Sequence, residues 1–445
     1  MTKRKAPAAA PACESRGTLI HPYSCPAAKS ELILNHMPPT QASIVRSDVA
    51  EYRPLSSVTG DTPLIEFIVP AMADRYTDLE DMYLYVKIRY ELEGKANADV
   101  VAPVNNLLHS MFSKVELTLQ DKCVTSSSQY YAYKAYLEKL LGFGADAKKT
   151  YARAAGWIKD SADNLNSPDN TRATAYKDKT TIELIDRLHL DLCAQERLLL
   201  PGVQIKLSLQ TNKPSFYFHS SNQAVTVKSI KFEHVALFIK QVEVSDMQAN
   251  AHRADLLRSP ALYPISRNEI RQFVLSVGEQ NRSLDNVCQG QLPRRMFVMI
   301  VKNAAENGDI SMNPYNFEHF KLSYLAAYVN GDQQPCIPYT PNFPKNLCIR
   351  EYFELFRSLN QLSAKPNLDI TLAQFMAGHT IYGINLTTDA SDPVDGHFNP
   401  LKRGNLRLDV RFEAALTSVL TVLVFLQFDS LISIDNDRNV YTDYK

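Results

Sequence analysis

NNLLHSMFSKVELTLQD (Asn105–Asp121) and YNFEHFKLSYLAAYVNG (Tyr315–Gly331) decide the reading of this chain, because they carry one pattern twice. Set side by side without gaps, Asn106 meets Asn316 and His109 meets His319, an offset of 210 residues (319 − 109). Phe112, Val115, Leu117 and Leu119 then meet Leu322, Leu325, Ala327 and Val329. Apolar residues at a period of two mark a strand in each copy. Each copy closes on a turn, Gln120-Asp121-Lys122 in the first and Asn330-Gly331-Asp332 in the second. An internal repeat sets the unit of folding. This one implies two similar β domains in a chain of 445 residues.

Outward from the first copy, TPLIEFIVP (Thr62–Pro70) puts Ile65, Phe67 and Val69 on one face, and DMYLYVKIRYELEG (Asp81–Gly94) opposes Leu84, Val86 and Ile88 to Tyr83, Tyr85 and Lys87. Further strands are expected over residues 198–210, 215–220 and 227–244. The second half repeats the style over 269–277, 294–303, 379–387, 404–416 and 419–435. Two helices interrupt the strands. One runs through SSSQYYAYKAYLEKLLGFG, with Ser126 to Ser128 placed to cap it and Gly142 and Gly144 to stop it, and the other lies in IREYFELFRSL (Ile349–Leu359). Met247–Leu257 reads as a linker or short helix, and the polar run Lys159–Lys179 as a long surface loop. Residues 1–60 are rich in Pro and Ala with little periodicity, and read as an arm. The division expected is therefore an arm over 1–60 and β-sandwiches over 61–246 and 247–445.

Composition narrows the function classes. Lys plus Arg equals Asp plus Glu at 48 each, so the folded body has no net attraction to DNA or anionic membrane. Seven scattered cysteines with no C-x-x-C pair write neither a zinc knuckle nor a disulfide framework, and reduced thiols are expected. The opening MTKRKAPAAAPACES lacks the apolar core of a secretory signal. The longest apolar run, Ala414–Phe428, is too short for a helix across a bilayer and suits a strand buried on both faces, in a soluble protein.

Catalytic signatures are missing: there is no H-E-x-x-H, no G-x-S-x-G and no P-loop. GFGADAKKT (Gly142–Thr150) lacks the G-K-[ST] ending of a phosphate loop and reads as a helix end followed by a solvated turn. His189-Leu-Asp191 has the H-x-D spacing of β-sandwich oxygenases, with His219 or His234 as possible third ligands, but a half-exposed strand edge explains it as well. Recurrence of His109 and His319 in both halves argues for packing. Asp435, Asp437 and Asn439 carry part of a calcium-loop spacing without its Gly and Glu. The reading is of a non-enzymatic chain with no catalytic residue, no cofactor and no metal.

A family likeness runs through CPAAKSELILNHMPPTQASIVRSDVAEYRPLS (Cys25–Ser56), YTDLEDMYLYVKIRY, VAPVNNLLHSMFSKVELTL, YYAYKAYLEKLLGFGADAKK, ERLLLPGVQIKLSL, GDISMNPYNFEHFKLSYLAAYVNGDQQP and LVFLQFDSLISIDNDRNV. From about residue 25 onward the chain resembles major capsid proteins of the Maverick/Polinton and adintovirus group. The resemblance implies a mainly all-β fold of two tandem jelly-roll β-sandwiches, with short helices in the inter-strand loops. It also implies a hexon-like, pseudo-hexagonal homotrimer, a lattice of such trimers in an icosahedral capsid, and penton or minor capsid proteins as partners. Such a protein would be made in the host cytoplasm and end in the virion. Residues 159–179 and 331–350 would then be tower or contact loops, and Lys3, Arg4 and Lys5 could meet packaged double-stranded DNA weakly. Two alternatives compete: a minor capsid or vertex protein of the same virus class, and a metal-dependent β-sandwich oxygenase or carbohydrate-binding protein.

Overall fold

The computed structural model describes Tyr23 and residues 29–35, 37–58, 62–94, 99–125, 129–160, 165–166, 170–176, 181–362, 368–389 and 397–444. It divides into two units, Met1–Ala42 and Ser43–Lys445. The smaller contains a turn of 3-10 helix at Ser30–Leu32.

Among the described residues, sixteen strands build the four main sheets of the larger unit, eight to each half; a short strand at Val440–Thr442 adds to the edge at Ile432–Ile434, and Val101–Pro103 pairs with Phe218–Ser220 as a separate two-stranded sheet. The first eight are β1 (Ile44–Tyr52), β2 (Leu64–Val69), β3 (Tyr76–Glu93), β4 (Phe112–Leu119), β5 (Lys122–Cys123), β6 (Thr181–Arg187), β7 (Ile205–Thr211) and β8 (Thr226–Val244). The second eight are β9 (Ala261–Leu275), β10 (Asn281–Gln291), β11 (Arg295–Lys302), β12 (Leu322–Val329), β13 (Asp332–Tyr339), β14 (Tyr382–Asn385), β15 (Arg403–Phe412) and β16 (Leu420–Ile434). In the first half the sheets run β1-β8-β3-β6 and β2-β7-β4-β5; in the second they run β9-β16-β11-β14 and β10-β15-β12-β13. Adding eight to each label of the first pair reproduces the second. Four-stranded sheets in the orders 1-8-3-6 and 2-7-4-5 make a jelly roll, so the chain contains two.

The duplication holds down to single residues. β4 and β12 begin and end 210 residues apart, and Gln120 and Asn330, 210 apart, both take positive φ, at 52° and 53°. Leu119 pairs with Lys122, and Val329 with Asp332. Even the bulges correspond, one between Phe112 and Lys114 and the other between Leu322 and Tyr324.

Alternation places the cores. Ile65, Phe67 and Val69 of β2, with Met82, Leu84, Val86 and Ile88 of β3, are buried, while Lys87 and Arg89 of β3 turn outward to Glu233. Each apolar side chain so buried contributes about 1.5–3 kcal/mol. In β16, Leu420 to Leu426 are all buried, as expected of a strand covered on both faces. No described helix is long and apolar enough to cross a membrane.

Several elements differ from the sequence reading. β1 lies within the stretch read as an arm and pairs with β8 along its length. Its residues, IVRSDVAEY, are mostly exposed, so no apolar alternation announces it. β13 occupies 332–339, inside the segment 331–350 assigned to a contact loop. The polar run 159–179 is only partly a surface loop, because Arg172 within it is wholly buried. Its guanidinium pairs with Asp160 and donates to the Pro103 carbonyl at 3.0 Å. SFYFHS is a helical turn at Pro214–Tyr217 followed by a strand at Phe218–Ser220.

Candidate functional site

The longest described helix, α1 (Tyr131–Gly142), sits in the connection between β5 and β6 and has both halves of the chain as neighbours. Tyr130 precedes it without a side-chain cap, and Ser126 to Ser128 lie outside the described residues. Ten of its twelve residues are buried, among them Lys134 and Lys139. Buried cations must be paired, and the partners of these two organise the molecule.

Lys134 donates to Asp191 at 2.6 Å, and the same Asp191 oxygen accepts the backbone N–H of Asn268, in β9 of the second half, at 3.2 Å. Burial pushes Asp191 up, though the Lys134 ammonium opposes it. Glu138, one turn on, accepts from His189 Nδ1 at 2.8 Å and from the Asn268 side chain at 2.8 Å. Lys139 donates to Asp186 and, at 3.0 Å, to Asn106. His109 completes this second group, with Nε2 3.2 Å from Asp186 and Nδ1 3.0 Å from the Tyr131 hydroxyl. Burial pushes His109 down to about 3, so it is neutral. Burial works against the Asp186 charge, yet the His109 hydrogen bond and the Lys139 ammonium hold it well below the usual carboxylate range.

Aromatic and apolar contacts finish the joint between the halves. Tyr136 stacks on Tyr315, whose hydroxyl lies 2.6 Å from Ser110 Oγ. Tyr130 donates to Glu306, which also accepts from Thr421 in β16. Lys148 corrects the reading of Gly142–Thr150 as a solvated turn. It is buried and donates to the carbonyls of Leu140 and Leu368, and burial pushes it down to about 8.

The H-x-D reading does not assemble. Asp191 lies on a turn of 3-10 helix with Lys134 as its partner, and His189 faces Glu138. His219 lies against the Ser311 carbonyl, and His234 packs on Tyr85. His109, Asp186 and His189 do bring donor atoms within 4.8 Å of one another. The set does not fit a divalent cation, because Asp186 already carries the Lys139 ammonium and His189 Nδ1 is held by Glu138. The repeated histidines serve packing in different ways: His319 stacks on Phe343 with ring centroids 4.0 Å apart. Asp435 accepts from the Asn439 backbone at 2.8 Å and its side chain at 2.9 Å, closing a turn. Lys3, Arg4 and Lys5 lie outside the described residues.

On the outer surface, Arg350 of helix α2 (Ile349–Ser358) donates to the carbonyls of Ile337 and Pro338, joining the helix to the end of β13. Ile337, Leu347, Ile349 and Phe353 are all at least half exposed there. Ile337, Leu347 and Ile349 fall in the segment 331–350 expected to make contacts, whereas Phe353 had no role in the sequence reading; its signal was the i, i+4 spacing from Ile349 on the side of the helix away from Leu355.

No model of a known protein family matches the chain. It is 24% identical over 421 residues to an uncharacterized protein of Caenorhabditis elegans, covering 92% of this chain and 99% of that one. Among solved structures it resembles the Sputnik virophage at 3.5 Å by cryo-EM, with a TM-score of 0.64, 11% identity, and coverage of 94% of this chain and 93% of that one. VP54 of PBCV-1 gives 0.60 at 8% identity, over 92% of this chain and 99% of that one. The chain has the double-jelly-roll fold. The mavirus major capsid protein shares it, with a TM-score of 0.52 at 13% identity over 97% of this chain and 96% of that one. At such identities the double jelly roll is common to them while nearly every side chain differs, so the charged joint around α1 has to be read from this chain alone.

Proposed function

We propose that this double jelly roll is the repeated subunit of an icosahedral capsid shell of a double-stranded DNA virus or virus-like element. The observation that carries the reading is the strand-for-strand identity of the two sandwiches within one chain. Two similar wall units per chain let three chains occupy a lattice site with six neighbours, and a closed three-fold ring leaves no open-ended contact. The buried charge and aromatic network around α1 supports it further, since a wall element must hold its two sandwiches in fixed relation. The apolar surface at Ile337, Leu347, Ile349 and Phe353 suits self-association. Resemblance to the mavirus major capsid protein, VP54 and the Sputnik particle points the same way.

The finer picture belongs to the same proposal. The chain would form a pseudo-hexagonal homotrimer, assemble inside the host cell and meet penton or minor capsid proteins in the virion. Its arm, within residues 1–60, would lie inward, with Lys3, Arg4 and Lys5 making weak, salt-sensitive contacts to packaged DNA. The first jelly roll would extend to about residue 246 and the second from 247. A minor capsid or vertex role needs one sandwich rather than two matched ones and is less well supported.

Light scattering on a sizing column tests the reading directly. A particle of three chains that grows into shells under negative-stain microscopy is expected. A monomer at every concentration and salt would overturn it.

A further inference from the structure

Asn106 and Lys139 form a buried pair that leaves one polar atom over. Asn106 is wholly buried, and its side-chain nitrogen has no hydrogen-bond partner among the described residues. A buried amide N–H₂ without a partner costs free energy. Its oxygen, by contrast, accepts from Lys139 Nζ at 3.0 Å. Lys139 is itself 1% exposed, and its ammonium rests on the Asp186 carboxylate. A primary amine, a carboxamide and a carboxyl group therefore meet in one buried site, with His109 and Tyr131 beyond the carboxyl group.

We propose that Lys139 and Asn106 join in an intramolecular isopeptide bond, with Asp186 carrying the protons. The balance closes without any co-reactant. Asp186 takes a proton from the Lys139 ammonium, which discharges both groups; burial favours this, against the His109 hydrogen bond and the Lys139 charge that hold the carboxylate ionised. The free amine attacks Cγ of Asn106, forming the new C–N bond. Protons returned through Asp186 convert the departing Nδ2 into ammonia as the old C–N bond breaks. One ammonium ion leaves in total, and Asp186 ends as a carboxylate.

The surroundings favour each part. Burial lowers the hold of Lys139 on its proton although Asp186 opposes this, so the nucleophilic form is within reach. The unpartnered Nδ2 is the leaving group, so no hydrogen bond has to be given up as the C–N bond breaks. His109, between Asp186 and Tyr131, fixes the carboxyl group. The bond would fasten α1 to the turn ahead of β4, inside the first jelly roll, and does not depend on any oligomeric state.

Intact mass spectrometry of the purified full chain, with a proteolytic map, tests this. The expected result is a protein lighter by one ammonia, and a branched peptide joining the Asn106 and Lys139 fragments. Asp186→Asn and Lys139→Arg should both restore the full mass. A folded protein of unmodified mass overturns the proposal. So does an ammonia loss found on a linear Asn106 peptide and surviving Lys139→Arg, which would mark a succinimide.

Discussion

Tyr136 and Tyr315 lie face to face, their ring centroids 4.0 Å apart and their planes 3° from parallel. One is on α1 of the first jelly roll and the other at the head of the repeat copy in the second, so the stack is a rivet between halves. Both rings are fully buried. Tyr315→Ala should cost about 3–5 kcal/mol, the usual range for losing a buried aromatic ring. Tyr315→Phe keeps the ring and loses the contact with Ser110, so about 1 kcal/mol is expected. Urea unfolding followed by tyrosine fluorescence separates the two; equal losses would mean that the stack contributes little.

The Lys134–Asp191 pair offers a second handle on the same joint. Removing one partner of a buried ion pair strands the other charge, at a cost of about 3–5 kcal/mol. Asp191→Ala should therefore destabilise strongly, and Lys134→Met combined with Asp191→Leu should recover part of the loss, because both charges of the pair go together while Glu138 keeps its His189 and Asn268 partners but loses the Lys134 ammonium. Denaturant midpoints of the single and double variants decide it. A double variant as weak as the single would show that the Asn268 contact, rather than the stranded charge, dominates.

Local periodicity exposed the duplication, and the offset of 210 residues proved to match strand ends, bulges and turn conformations alike. Strands without apolar alternation escaped: NRSLDNVCQGQ of β10 buries Leu284, Val287 and Cys288 off any period of two, and DQQPCIPY of β13 buries only Tyr339. The site was less visible still. Lys134 meets Asp191 from 57 residues away and Asn106 meets Lys139 from 33, distances at which sequence gives no pairing rule. His189 and Asp191 looked like partners because they are two apart. The turn of 3-10 helix at Asp191 sends them to different acceptors and donors instead.

Two buried histidines give the protein an acid-sensitive stability. Burial pushes His109 down to about 3 and His219 down to about 4, against about 6.5 in an unfolded chain. A depressed folded value means that the unfolded state binds more protons below pH 6.5, so this stability is fully present above 6.5 and lost as pH falls toward the folded values. At pH 5 the loss should be about 2 kcal/mol per histidine relative to neutral pH. Ordinary carboxylates add their effect only below about pH 4.5. Urea midpoints at pH 7 and 5 measure it, and His219→Gln should flatten the slope. An unchanged midpoint at pH 5 would mean that both rings titrate normally.

Gly156 and Gly278 separate backbone strain from crowding. Both take positive φ, at 80° and 87°. At Gly278 an added Cβ would meet nothing within 4 Å, so Gly278→Ala should cost only the left-handed conformation, about 1 kcal/mol. At Gly156 the same atom would stand 2.9 Å from Leu107 Cβ and 3.2 Å from its backbone nitrogen. That backbone is the residue after Asn106, so it cannot retreat without disturbing the pair with Lys139. Gly156→Ala should cost about 2 kcal/mol more than Gly278→Ala, a gap set by overpacking. Parallel urea titrations of the two variants read the difference, and equal midpoints would place Leu107 in a site loose enough to yield.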